Sequence, residues 1–145
     1  MIFEAPHNTV IYSIEKAIKE YRKFGYKNIK KIADDITIDQ SLVLITLDQN
    51  PNITQKEVAE LIFKDFASLT RIIDLMVKKG YLKRSINEKD RRRFILTIST
   101  KGKKLIKKLV PTIKQNRSKA LDGLVEKEIK QLHSSLNKII ANCNE

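Results

Sequence analysis

Apolar residues recur three and four positions apart along most of this chain, and the recurrence breaks into blocks. Over residues 9–24, Val10, Ile11, Ile14, Ala17, Ile18 and Tyr21 form one helical stripe. Gly25 is where that helix can end, while Ile29, Ile32 and Ala33 keep a helical spacing beyond it; both readings stand. "TIDQSLVLITLDQNP" opens a second helix. Thr37 with Gln40 three residues on is a capping-box pattern, Leu42, Val43, Ile45 and Leu47 supply a buried side, and Asn50-Pro51 stops it. "TQKEVAELI" repeats the device with Thr54, Glu57 and the core positions Val58, Leu61 and Ile62. After a short turn at Phe63-Lys64, Asp65 caps a helix over 66–79 that Gly80 closes. Leu69, Ile72, Ile73 and Met76 take its inner face; Ser68, Arg71 and Asp74 fall away from it, with Thr70 at the edge. Two short helices joined by a tight turn make a helix-turn-helix.

The period then drops from 3.6 to 2. "YLKRSI" and "RFILTI" read as strands around the hairpin tip "NEKDRR", with Phe94, Leu96 and Ile98 on one face of the second strand and Ile95 and Thr97 on the other. From Ser99 the helical period returns in Leu105, Ile106, Leu109, Val110 and Ile113, with a kink expected at Pro111 and a break at Asp122-Gly123. Ile129, Leu132, Leu136, Ile139 and Ile140 mark a last helix. These terminal stripes are longer than one small core can cover. They predict a homodimer built from the first and last two helices, against the alternative that they fold back on their own core. The expected class is mostly α with a small β-hairpin wing: residues 1–36 and 100–145 a helical dimerisation region, 37–99 a winged helix-turn-helix.

Charge sharpens the picture. The chain has 145 residues and a net charge of +12. Residues 78–108 hold 13 basic and 2 acidic side chains, whereas residues 1–50 balance and residues 51–77 are near neutral. So concentrated a single-sign field attracts a polyanion. Arg91, Arg92 and Arg93 stand side by side at the expected wing tip, residues 87–93. Arginine is always charged, planar and weakly hydrated, which suits a narrow, electronegative minor groove. Asp90 makes sense among them as a brace that accepts from Arg84 or Arg92 and fixes its direction. The helix over 66–79 would lie in the major groove, where Ser68 and Thr70 permit close approach and Arg71 can pair bidentately with guanine. Thr54 and Gln55, at the start of the preceding helix, are grouped with the DNA-contacting residues. A dimer would offer two such helices about 34 Å apart, which predicts a pseudo-palindromic site.

In this order the pieces resemble the MarR family of winged-helix transcriptional regulators. "TIDQ" (37–40), "TQKEVAELI", "SLTRIIDLMVKKGYLKR" (68–84), "DRR" (90–92) and "ISTKG" (98–102) carry the resemblance, over residues 37–105. Ile98 and Ser99 replace the usual Leu and Thr, which preserves packing and capping. The resemblance implies a dimer on a duplex operator, usually a repressor, with Arg92 in the minor groove and Asp90 orienting it. It also implies, for many members, release by a small aromatic or phenolic ligand bound between the dimer helices and the winged helix. Peroxide sensing through an N-terminal cysteine is not expected, since Cys143 near the C-terminus is the sole cysteine. His7 and His133 have no ligand-spaced companion, so no metal or other cofactor is expected. No nucleophile-base pattern or phosphate-binding loop suggests an enzyme. The rival from another class is a winged helix that binds protein rather than specific DNA, which would have no need of three arginines at a hairpin tip. With no signal-peptide pattern, no apolar run near the ~18 residues of a membrane span and no disulfide-capable pair, a soluble cytoplasmic protein is expected.

Overall fold

The computed structural model describes residues 2–90 and 94–145. After a 3-10 turn at Pro6–Asn8 come α1 (Val10–Lys30), α2 (Ile38–Gln49), α3 (Gln55–Leu61), α4 (Phe66–Lys78), β1 (Leu82–Ile86), β2 (Phe94–Ile98), α5 (Thr100–Ala120) and α6 (Glu126–Cys143). Gly25 does not end the first helix. It is buried within α1 near α5, and the helix continues to Lys30 because Ile29 enters the core and Asn28 donates to the buried Asn116 of α5 at 2.8 Å. Packing there outweighs the roughly 1 kcal/mol propensity cost of a mid-helix glycine.

Capping chemistry sets the other helix starts. Thr37 Oγ1 accepts from the Gln40 amide at 3.1 Å and Gln40 Oε1 accepts from the Thr37 amide at 3.2 Å, the reciprocal box its sequence predicts. Thr54 caps α3 through the Glu57 amide, Asp65 caps α4 through the Ser68 amide and Ser99 caps α5 through the Gly102 amide. Each such cap stabilises its helix by about 1 kcal/mol. α5 runs unbroken through Pro111, and the turn before α6 uses Gly123 at φ +87°.

The core is a single cluster around α2, whose Val43 and Leu44 are fully buried. α4 contributes Leu69, Ile73 and Met76, α1 contributes Ile29, and α5 contributes Leu105, Ile106 and Leu109. α6 contributes no buried residue. β1 and β2 pair antiparallel from Leu82↔Ile98 to Ile86↔Phe94. The alternation read from sequence holds at the core end, where Leu82 is buried and Leu96 and Ile98 are half-buried; by Phe94 the strand has left the core.

Two polar nodes fix where these elements meet. At the first, Asp39 of α2 accepts from Arg22 of α1 at 2.6 Å and from Lys64, in the turn between α3 and α4, at 3.0 Å. Burial pushes the Asp39 carboxyl up, but the hydrogen bonds and charges of Arg22 and Lys64 outweigh it and hold the group below its ordinary value. The second lies between α4 and α5. Ser99 Oγ donates to the Gly80 carbonyl at 2.5 Å, the Ser99 amide donates to the Tyr81 carbonyl at 3.1 Å, and Gly80 itself takes φ +85°. A Cβ on Gly102 would stand 2.4 Å from the Tyr81 carbonyl oxygen and 2.8 Å from Ile98 Cγ2.

Gly102→Ala should therefore force the backbone apart and destabilise the protein by about 1–3 kcal/mol, the usual range for overpacking; a thermal melt that matches wild type would contradict the contact. For Asp39, a carboxyl whose folded pKa is depressed adds stability that is complete above its unfolded pKa of about 4 and is lost as pH falls through the lower folded value. Asp39→Asn should accordingly narrow the gap in urea stability between pH 7 and pH 3, and an unchanged gap would remove Asp39 from the acid response.

Candidate nucleic-acid interface

α4 turns its core residues inward at Leu69, Ile73 and Met76, so Ala67, Arg71 and Asp74 face solvent. Its first turn is held by Asp65, whose carboxylate accepts from the Ser68 amide at 2.7 Å. That backbone bond is the main reason the Asp65 carboxyl lies below its ordinary value. Ser68 and Thr70 are half-buried. The Thr70 hydroxyl donates back to the Phe66 carbonyl at 2.9 Å, so its proton is used within the helix. Arg71 is exposed and Phe66, at the head of the helix, is 59 % exposed. Thr54 is exposed with its hydroxyl oxygen occupied by the Glu57 amide, which leaves its proton free to donate; Gln55 beside it is half-buried. Both stand at the start of α3, the first helix of the helix-turn-helix.

The wing is tied to α4 by a contact that sequence reasoning missed. Arg84 of β1 donates through Nη2 to Asp74 Oδ1 at 2.6 Å, and its guanidinium lies over the Phe94 ring at 5.2 Å. Arg84 or Arg92 was the expected partner of Asp90; Arg84 is bonded to Asp74, and Arg91, Arg92 and Arg93 lie outside the described residues. Among the described residues nothing meets the buried Arg84 Nε. Leaving such a donor unmet costs roughly 1–3 kcal/mol, comparable with the gain from the charge-assisted bond to Asp74. The pair therefore contributes direction more than stability. The signal for it was present, since Asp74 and Arg84 carry opposite charge at the two ends of a short connection, but only the crossing of β1 over α4 brings them together. On the approach to the tip, the Lys89 amide donates to the Asn87 side chain at 2.9 Å, which begins the turn.

The described cations of residues 78–108 divide into two groups. Lys79, Arg84 and Lys101 are engaged internally. Lys79 Nζ donates to the Asp35 carbonyl and to Gln40 Oε1, and Lys101 Nζ donates to the Lys79 carbonyl at 2.7 Å while lying 4.4 Å from the centre of the Tyr81 ring. Tyr81 donates to both Asp35 carboxylate oxygens at 3.0 and 3.1 Å; burial, followed by Asp35, pushes its hydroxyl up to about 12. Lys78, Lys83, Lys89, Lys103, Lys104, Lys107 and Lys108 are exposed around the hairpin and the start of α5. What the surface offers chemically is anion attraction beside a helix that presents one outward guanidinium. No group of His, Cys, Asp or Glu among the described residues is arranged to hold a metal ion, and none of their helices is long and apolar enough to cross a membrane.

Comparison with known proteins agrees with this construction. The MarR family model matches residues 36–94, from the start of α2 through the wing. The HTH-type transcriptional regulator BilQ of Clostridium symbiosum is 29 % identical over 106 residues, covering 73 % of this chain and 74 % of BilQ. A structure of an Escherichia coli MarR mutant complexed with operator DNA superposes with a TM-score of 0.82 at 22 % identity, covering 94 % of this chain and 99 % of that one. BpsR of Bordetella bronchiseptica, whose DNA binding is regulated by 6-hydroxynicotinic acid, superposes with a TM-score of 0.83 at 20 % identity over 95 % and 97 % of the two chains. With helices, hairpin, caps and superpositions in agreement, this chain has a winged-helix fold, and over residues 36–94 it is similar to the MarR family of transcriptional regulators.

Proposed function

We propose that the protein is a homodimeric, sequence-specific DNA-binding repressor, with α4 in the major groove and the wing at residues 87–93 in the minor groove. The observation that carries this reading is the collar of exposed lysines around the hairpin, beside a helix whose outward guanidinium is Arg71. Arg71 is the base reader. Ser68, Thr70, Thr54 and Gln55 are placed to approach the phosphates and sugars. Arg91, Arg92 and Arg93 are assigned to the minor groove on their sequence position, with Asp90 orienting Arg92. Arg84 acts one step back, by holding the hairpin to α4 through Asp74.

Support for the dimer comes from apolar side chains that this one chain leaves in water. Val10, Ile11 and Ile18 of α1 and Val125, Leu132 and Ile140 at α6 are each about half exposed or more. Lone apolar residues on a surface are ordinary, but two helices that each expose a stripe mark an interface. The division into a helical dimerisation region (1–36 and 100–145) and a winged helix-turn-helix (37–99) follows from the same asymmetry. Two copies would set two α4 helices against a pseudo-palindrome.

Release by a small aromatic ligand is part of the proposal, and the regulation of BpsR by 6-hydroxynicotinic acid supports it by analogy. One concavity, about 540 Å³ and lined by residues 49–53 with Glu57, Glu60 and Leu61, is a poor seat for an aromatic acid because two carboxylates face it. A crevice between the helical region and the winged helix, completed by the second copy, suits such a ligand better.

Selection of bound duplexes from a random pool tests the function directly. The expected product is a pseudo-palindrome whose affinity falls steeply with salt, with a log-log slope of about 0.9 per phosphate neutralised. A salt-insensitive protein that enriches no sequence would favour the protein-binding alternative. On the selected duplex, Arg92→Ala should weaken binding at least about tenfold without changing fold or dimer, since one charged, desolvated contact contributes roughly 1–3 kcal/mol; full affinity would take the wing out of the mechanism. Arg71→Ala should relax base preference at one symmetric pair of positions, and an unaltered selected sequence would reduce Arg71 to a phosphate contact.

A further inference from the structure

The first two residues of α4 expose chemistry that the charge argument leaves unused. Phe66 is 59 % exposed, although the core positions of the same helix, Leu69, Ile73 and Met76, are at most 1 % exposed. A phenyl ring left in water contributes little to folding, and Phe66 is absent from the core cluster and from the side chains packed against it. Its backbone is fixed all the same. Asp65 caps the turn, and the Phe66 carbonyl accepts the Thr70 hydroxyl at 2.9 Å. Ala67, next along, is also exposed. With the Thr70 proton committed and Ser68 half-buried, the first two turns of α4 present to solvent a phenyl ring, a methyl group and the Arg71 guanidinium. Helical Cα–Cβ bonds tilt towards the N-terminus, so this ring leans beyond the end of α4, the end that meets base edges in helix-turn-helix docking. In the major groove the apolar feature distinguishing one base from the others is the thymine 5-methyl, and Phe and Ala are side chains that pack on it.

We propose that Phe66, with Ala67 beside it, is a thymine-specificity residue that packs its ring on 5-methyl groups in the major groove, next to the base paired with Arg71. The inference rests on the DNA-binding reading above and adds to it the identity of a base. The preferred half-site then contains thymine close to guanine, Phe66 reading the methyl and Arg71 the guanine N7 and O6 edge.

The test changes the DNA before it changes the protein. Thymines in the duplex selected by the full-length protein are replaced one symmetric pair at a time by deoxyuridine, which deletes only the methyl and keeps every Watson–Crick hydrogen bond. One pair should lose about fourfold per half-site, or roughly fifteenfold for both, the equivalent of burying one methyl at each. Phe66→Ala should bind the thymine duplex more weakly and show no discrimination between thymine and deoxyuridine at that pair. Phe66→Leu, still apolar, should keep part of it. Because Phe66 is outside the core, Phe66→Ala should melt with wild type, and the deoxyuridine series on wild-type protein stands whether or not any variant folds. Equal affinity for every deoxyuridine duplex overturns the inference and leaves DNA binding intact, as does a Phe66→Ala protein that still discriminates at the sensitive pair. Failure to enrich any duplex overturns the DNA-binding reading and this inference with it.

Discussion

The hairpin can aim only where the junction between Tyr81 and Ser99 allows. Here the end of α4, the base of both strands and the start of α5 converge on a few backbone groups. Ser99 binds the Gly80 carbonyl with its hydroxyl and the Tyr81 carbonyl with its amide, and its oxygen also caps α5. α5 can start that close to β1 only because residue 102 has no side chain. Around this knot Lys79, Lys101, Asp35 and Gln40 satisfy one another, so the loop before α2 is fastened to the same point. Backbone groups buried in a junction must all be paired; meeting that demand fixes the angle between α4 and the hairpin.

Electrostatics divides into holding and attracting. Cations that hold are close to specific acceptors: Arg22 and Lys64 on Asp39, Arg84 on Asp74, Lys101 on a carbonyl and a ring. Their positions are fixed by those acceptors, although only Arg84 on Asp74 is neutralised one-to-one. Cations that attract stand unburied on the hairpin and the first turns of α5, where their fields add over a Debye length of about 8 Å at physiological salt. A count of lysines and arginines cannot separate these roles. Under the proposed mechanism the first group determines geometry and the second determines encounter rate and salt sensitivity.

Apolar surface divides in a similar way. α2 is covered from several sides and α4 from one, whereas α6 has no fully buried residue, only half-buried ones such as Ile129, Leu136 and Ile139, and the first half of α1 buries almost nothing. A chain that leaves those stripes in water while α2 to α4 share a dry core is what the proposed dimer would complete. The exposed ring at Phe66 is a third case, an apolar group at the head of α4 that the proposed docking would set against DNA rather than against a second copy.

Local rules were sufficient for most of the fold. The caps at Thr37, Thr54, Asp65 and Ser99, the change of period at the wing and the stop at Gly80 are short-range devices, each decided by residues within one helical turn, so the sequence alone determined them. The family resemblance rests on those same stretches. What the sequence left open depended on partners distant along the chain. Gly25 sits inside a helix because Asn116, far downstream, packs where α1 passes α5; Arg84 bonds Asp74 because β1 turns back along α4; Lys79 and Lys101 are structural because the loop at Asp35 folds against them. Hydrophobic period specifies which face of an element is buried, not which polar side chain waits on the element it meets. That second question is answered only when the backbones have crossed.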